Sequence, residues 1–210
     1  MKLMDMTVDG FVNELASNSP APGGGTIAAV NGAFAAGLGV MTCLLTIPRE
    51  TDAERKHQLT QLAKQLNQSK ERFVQLADED TEAFNQVMAA FRMPKATEEE
   101  KAVRKEAIAL ANLGATLVPV ETAGISVSIL LVLKEAVSLV NDNVLSDCGV
   151  ALSCARTAAD GAFMNIAINL PGVKNETRKS EIEASLQELK QKAQTTYEEA
   201  MTIFEQRFSW

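Results

Sequence analysis

Histidine, cysteine and aromatic side chains are all scarce in this sequence, and each scarcity closes a route to function. The single histidine, His57, sits in the charged run Glu54-Arg-Lys-His-Gln and reads as exposed, so a transition-metal site has no evident ligand set. The three cysteines, Cys43, Cys148 and Cys154, have neither metal-ligand spacing nor the even count of a disulfide framework. They read as reduced core thiols of a cytosolic protein. With one Trp, one Tyr and eight Phe in the chain, Ala, Gly and Leu must do much of the filling, which favours helices in close contact. Positive charge is short as well: 20 Lys and Arg against 27 Asp and Glu leave a net charge of −7, the wrong sign for a nucleic-acid face. A small anion on a local basic patch is still permitted. The opening MKLMDMTVDG lacks the basic-then-apolar order of a signal peptide. No linker divides the 210 residues, so residues 1–210 are expected to form one domain.

Strand-like alternation is absent too, and helical periodicity dominates. Short amphipathic Thr7–Ser17 carries Phe11, Val12 and Leu15 and is broken by Pro20-Ala-Pro-Gly-Gly-Gly25. A second helix is expected from about Thr26 to Thr46, stopped by Pro48. Within it, Ile27–Ile47 is an uncharged run of about 20 residues, long enough to cross a bilayer. Its Ala and Gly content, its internal Asn31, Thr42 and Thr46, and the lack of flanking Lys or Arg favour a buried helix instead. Capping-box spacing at Thr51–Glu54 opens a long helix to about Phe91, and a second box at Thr97–Glu100 opens one to about Leu113. Further helices are expected over Val118–Val140, Ser146–Ile168 and Glu176–Phe208, with Pro119 tolerable only in a first turn. The expectation is an all-α bundle of about seven helices, two of them long.

Candidate chemistry emerges from helical projection. At about 100° per residue, Phe73, Leu76, Ala77, Phe84, Val87 and Phe91 share one apolar face, and Asp80 falls in its middle. A carboxylate there either bonds another helix or serves as an acid/base or ligand-orienting group. Asp78, roughly 160° around the same helix, is expected to be solvated, so the two do not form a carboxylate dyad. On the Ser146–Ile168 helix, small residues occupy the middle of one strip, with Asp147 at its start and Asn165 and Asn169 at its end. Asp147 suits the positive end of a helix dipole on structural grounds alone, and the asparagines can serve a heterocycle or merely the core. Gly23-Gly24-Gly25 precede helical amides that lack internal partners, a place for an anion or simply a flexible turn. Glu121, in an apolar segment, is a second candidate for a buried carboxylate.

In order along the chain, Pro20–Ala29 (PAPGGGTIAA), Asp78–Phe84 (DEDTEAF), Arg92-Met-Pro-Lys95, Val118-Pro119, Ser146-Asp147 with Val150-Ala151, and Asn165–Leu170 (NIAINL) resemble the formiminotransferase-cyclodeaminase family. Some stand-alone bacterial members act as methenyltetrahydrofolate cyclohydrolases. The resemblance implies an all-helical homodimeric folate enzyme. Its substrate would be 5-formimino-tetrahydrofolate, closed to 5,10-methenyl-tetrahydrofolate with release of ammonia, without metal or cofactor. Cyclohydrolase activity in the same pocket and a non-catalytic folate-binding or assembly role are the alternatives. Mapped on this sequence, Asp80 would move protons; Asp147, Asn143, Asn165 and Asn169 would orient the substrate. The glycine turn, Arg92 and Lys95 would meet its glutamate or polyglutamate tail. Two departures bear on substrate: Pro48-Arg49-Glu50 stands where the family often has a glycine and a basic cluster, and Asp142-Asn143 where Gly-Asn is common. A cytoplasmic protein, free of membrane and nucleic acid, completes the expectation.

Overall fold

Six α-helices carry most of the chain in the computed structural model, which describes residues 2–208: α1 (Val8–Leu15), α2 (Gly24–Thr46), α3 (Ala53–Arg92), α4 (Glu98–Leu139), α5 (Leu145–Asn169) and α6 (Glu176–Arg207). Residues 1, 209 and 210 of the expected 1–210 unit lie outside the described residues. Short 3-10 turns precede α1 and follow α2, α4 and α5, and no strand occurs among the described residues. The all-α expectation therefore holds, with one correction in the count. The two helices expected on either side of residues 114–117 are one, a 42-residue α4 that runs straight through Pro119.

That continuity has a local cause. Proline has no N–H, so the Ala115 carbonyl, four residues earlier, loses its helical donor. The side-chain amide of Asn169, the last residue of α5, donates to that carbonyl at 2.8 Å instead. A contact from another helix thus repairs the break that a local reading anticipates. Elsewhere the start signals work nearly as expected: the Thr97–Glu100 box forms in full, while α3 is capped by Asp52 rather than Thr51, its carboxylate accepting from the N–H groups of Glu54 and Arg55.

α2 lies between α3 and α5, α4 packs across both, and α6 covers the α4–α5 side. Close approach depends on missing side chains: a Cβ on Gly32 would lie 2.5 Å from the Phe73 ring, and one on Gly39 2.7 Å from Leu133. Phe73, Leu59, Leu66 and Leu76 are among the largest fully buried side chains of one continuous core. The α3 stripe splits in two. Phe73, Leu76 and Ala77 enter the core, whereas beyond Asp80 the stripe is only half-buried at Phe84 and Val87 and exposed at Phe91. α1 buries none of its residues; of its apolar side chains Phe11 packs partly on the core and Val8, Val12 and Leu15 stay exposed. Two stretches, Gly24–Arg49 and Glu98–Leu139, are long and apolar enough to cross a membrane, and about half of each apolar window (56% and 50%) is buried inside this fold. Core helices of a bundle show the same signature.

Candidate functional site

Where the N-terminus of α2 meets the second half of α3, the middle of α4 and the end of α5, a cavity of about 350 Å³ opens. Gly23, Gly24 and Gly25 form one wall, and Asp80, Phe84 and Val87 another. Asn112 and Ala115 come from α4, Asn165, Ile168 and Asn169 from α5, and Gly172 from the turn that follows. Asp80 is the one ionisable side chain among the lining residues.

Asp80 sits over the first turn of α2. Its Oδ2 accepts from the Thr26 hydroxyl at 2.9 Å, and that hydroxyl lies 3.3 Å from the hydroxyl of Thr81. Oδ1 occupies the space a side chain on Gly25 would need, since a Cβ there would be 2.1 Å away. Asp80 thus braces another helix and also faces a cavity. Burial pushes its pKa above the ordinary carboxylate value, partly countered by hydrogen bonds from the Thr26 side chain and backbone. Asp78 corrects the expectation of a solvated group. It is half-buried, and its Oδ1 accepts from the Leu3 N–H at 2.8 Å.

The glycine run is part of the helix rather than a free turn. Gly23 is the N-cap and supplies no side-chain acceptor, while Gly24 and Gly25 belong to the first turn, where N–H groups lack intrahelical partners. Across the cavity, Asn165 donates its amide to Gly161 O at 2.8 Å, and its Nδ2 lies 3.3 Å from where a Gly24 Cβ would stand. Asn112 reaches Gly172 O at 3.5 Å, and a Cβ on Gly172 would fall 2.9 Å from its Nδ2. Sequence reasoning missed Asn112 because it placed a helix end at Leu113; in the middle of a continuous α4, a polar residue on an inward face stands out.

Several expected residues do not reach this cavity. Arg92, the last residue of α3, and Lys95, just past it, are exposed five and eight positions beyond Val87, and no basic residue lines the cavity. Asp147 lies in the first turn of α5, 18 positions before Asn165, which at 1.5 Å per residue is about 27 Å. Asn143, exposed, precedes that helix, and its N–H bonds Asn141 Oδ1 at 3.0 Å. One chain therefore brings together Asp80, the three glycines, Asn165 and Asn169, but not Asp147, Asn143, Arg92 or Lys95. Glu121 is exposed and takes a two-pronged bond from Arg72, which also holds Glu79. Its carboxyl is accordingly held low, by ordinary ion pairing. Cys43 and Cys148 are free and buried, their thiols pushed up to about 11 and about 12 by desolvation, which leaves little nucleophilic thiolate. His57 is exposed, and no group of three His, Cys, Asp or Glu side chains comes together among the described residues.

Comparison with known proteins adds the family. Residues 7–188 match the model of formiminotransferase-cyclodeaminase. A methenyltetrahydrofolate cyclohydrolase of Methylorubrum extorquens is 34% identical over 186 residues, covering 87% of this chain and 89% of that protein. A formimidoyltransferase-cyclodeaminase of Sus scrofa is 31% identical over 88% of this chain, which spans 34% of that longer protein. The crystal structure of a formiminotetrahydrofolate cyclodeaminase from Thermotoga maritima superposes with a TM-score of 0.86 at 22% identity, covering 97% of this chain and 98% of that one, so the fold is shared end to end. With the family model matched over most of its length, the chain belongs to the formiminotransferase-cyclodeaminase family.

Proposed function

We propose that this chain is a folate one-carbon enzyme that closes 5-formimino-tetrahydrofolate to 5,10-methenyl-tetrahydrofolate and releases ammonia, with Asp80 moving the protons. The observation that carries the reading is a lone carboxylate facing a cavity otherwise lined by amides, glycine backbone and apolar side chains. Nitrogen 10 attacks the formimino carbon within one molecule, so positioning supplies much of the acceleration. Asp80, as carboxylate, takes the proton that nitrogen 10 loses. It returns that proton to the departing nitrogen of the formimino group, which enters already protonated, and the carbon–nitrogen bond breaks to free ammonia and the methenyl cation. A carboxyl raised by burial suits this exchange better than a solvated one, because it lies closer to the working pH.

Asn112, Asn165 and Asn169 orient the pterin on this reading. The tail leaves along α3 past Val87 toward Arg92 and Lys95, which meet its carboxylates at the surface. Turnover of purified protein with 5-formimino-tetrahydrofolate, followed by ammonia release, tests the assignment; no ammonia from a folded sample rejects it.

A second reading has its own support, since the cyclohydrolase of Methylorubrum extorquens matches over nearly its full length. There Asp80 would take a proton from water as it adds to the one-carbon unit of 5,10-methenyl-tetrahydrofolate and pass it to nitrogen 5 as the bond from that carbon to nitrogen 5 breaks; the second water proton goes to solvent, leaving the 10-formyl compound. Loss of methenyl absorbance without ammonia chemistry would select it. Self-association belongs to the same proposal: α2 leaves Phe34, Leu44 and Leu45 exposed, and a second copy is a natural cover for them. The setting proposed is the cytoplasm, with neither membrane nor nucleic acid as partner.

A further inference from the structure

The geometry points to Pro119 as a positioning residue that fixes Asn169 as a hydrogen-bond acceptor of the cavity, aimed at an N–H group of the ligand. This rests on the folate reading for the identity of that ligand. By withholding an N–H, Pro119 leaves the Ala115 carbonyl open inside the bundle, where it must find a donor. Asn169 Nδ2 is that donor, at 2.8 Å. Only nitrogen can face a carbonyl oxygen, so the bond decides which way round the amide lies. Both lone pairs of Oδ1 are then free of the Ala115 bond, on a residue that lines the cavity beside Ala115 itself.

An asparagine at a helix end would ordinarily turn its amide either way. Here the buried proline of α4 removes that freedom, and a site that must distinguish donors from acceptors on a heterocycle gains a fixed acceptor. Asn165, one turn earlier on α5, also donates its Nδ2, to Gly161 O of its own helix, and that nitrogen lies on the side of Gly24. A fixed acceptor suits a ligand edge that carries an N–H group, as the amino-oxo edge of a pterin does.

Pro119→Ala and Asn169→Ala, alone and together, test this by melting temperature and by steady-state kinetics with 5-formimino-tetrahydrofolate. The first substitution supplies the missing N–H, closes the Ala115 carbonyl within α4 and releases the Asn169 amide. Asn169→Ala should lower Tm by about 2–4 °C in the natural background and leave Tm unchanged in the Pro119→Ala background. Pro119→Ala alone should hold or raise Tm yet raise KM about tenfold, as the loss of one well-aligned hydrogen bond does, with kcat altered far less. Equal Tm losses from Asn169→Ala in both backgrounds would overturn the link between the two residues. An unchanged KM in Pro119→Ala would overturn the positioning role. If the natural protein neither binds nor turns over this folate, the folate reading and the ligand part of the inference fall together, and the Tm cycle alone decides the pairing.

Discussion

Asp80 and Gly25 share a space that holds one group: the carboxylate oxygen sits 2.1 Å from where a methyl on Gly25 would stand. Gly25→Ala should therefore displace the carboxylate and cut turnover at least tenfold, although alanine is the better helix former. Asp80→Asn should remove most turnover while the helical circular-dichroism signal and melting stay near those of the natural protein, because an amide oxygen can still accept from Thr26. The pH dependence has opposite signs for activity and stability. Asp80 enters the reaction as a carboxylate, so turnover falls as pH drops through its raised pKa, at a limb above the ordinary carboxylate range. A carboxyl with a folded pKa above its unfolded one binds protons more tightly when folded, so its contribution to stability is present below the unfolded pKa and lost as pH rises through the folded one. Subtracting the melting curves of Asp80→Asn from those of the natural protein on either side of the ordinary carboxylate range isolates that contribution. Asp80 was legible in the sequence because it interrupts an apolar stripe. Its partner Thr26 was not, since the spacing of residues 26 and 80 carries no pattern that brings them together.

Among the elements, α4 shows what periodicity conveys and what it omits. The apolar repeat and the Thr97 capping box mark where helix begins and which faces are inward, but Pro119 reads as a boundary until Asn169 is known to serve the Ala115 carbonyl. The C-terminal end of α4 depends on α6 in the same way: the Arg207 guanidinium donates to the carbonyls of Val137 and Val140 and to Asp142. Arg207→Ala should destabilise the fold by about 1–3 kcal/mol, read from urea unfolding, because it leaves part-buried carbonyls without a donor.

Over the whole molecule, the two ends of α5 do different things. Asn165 and Asn169 reach the cavity, while Asp147, about 27 Å away, meets the positive end of its own helix. Asp147→Asn should therefore leave kcat within about twofold; a loss as deep as that of Asp80→Asn would show that a second chain completes the site. Exposed Phe34 on α2 allows a direct check of assembly. Phe34→Glu should convert the proposed dimer to a monomer in light scattering. The family and the fold were legible from motifs strung along the chain, whereas distances between those motifs were not, because a helix of 25 residues places its two ends in separate surroundings. The single space divided between Gly25 and Asp80 also limits how such sequences can drift. In a combinatorial library selected for activity, glycine at 25 and the acid at 80 would therefore be enriched together, because a side chain at 25 pushes the carboxylate from its place.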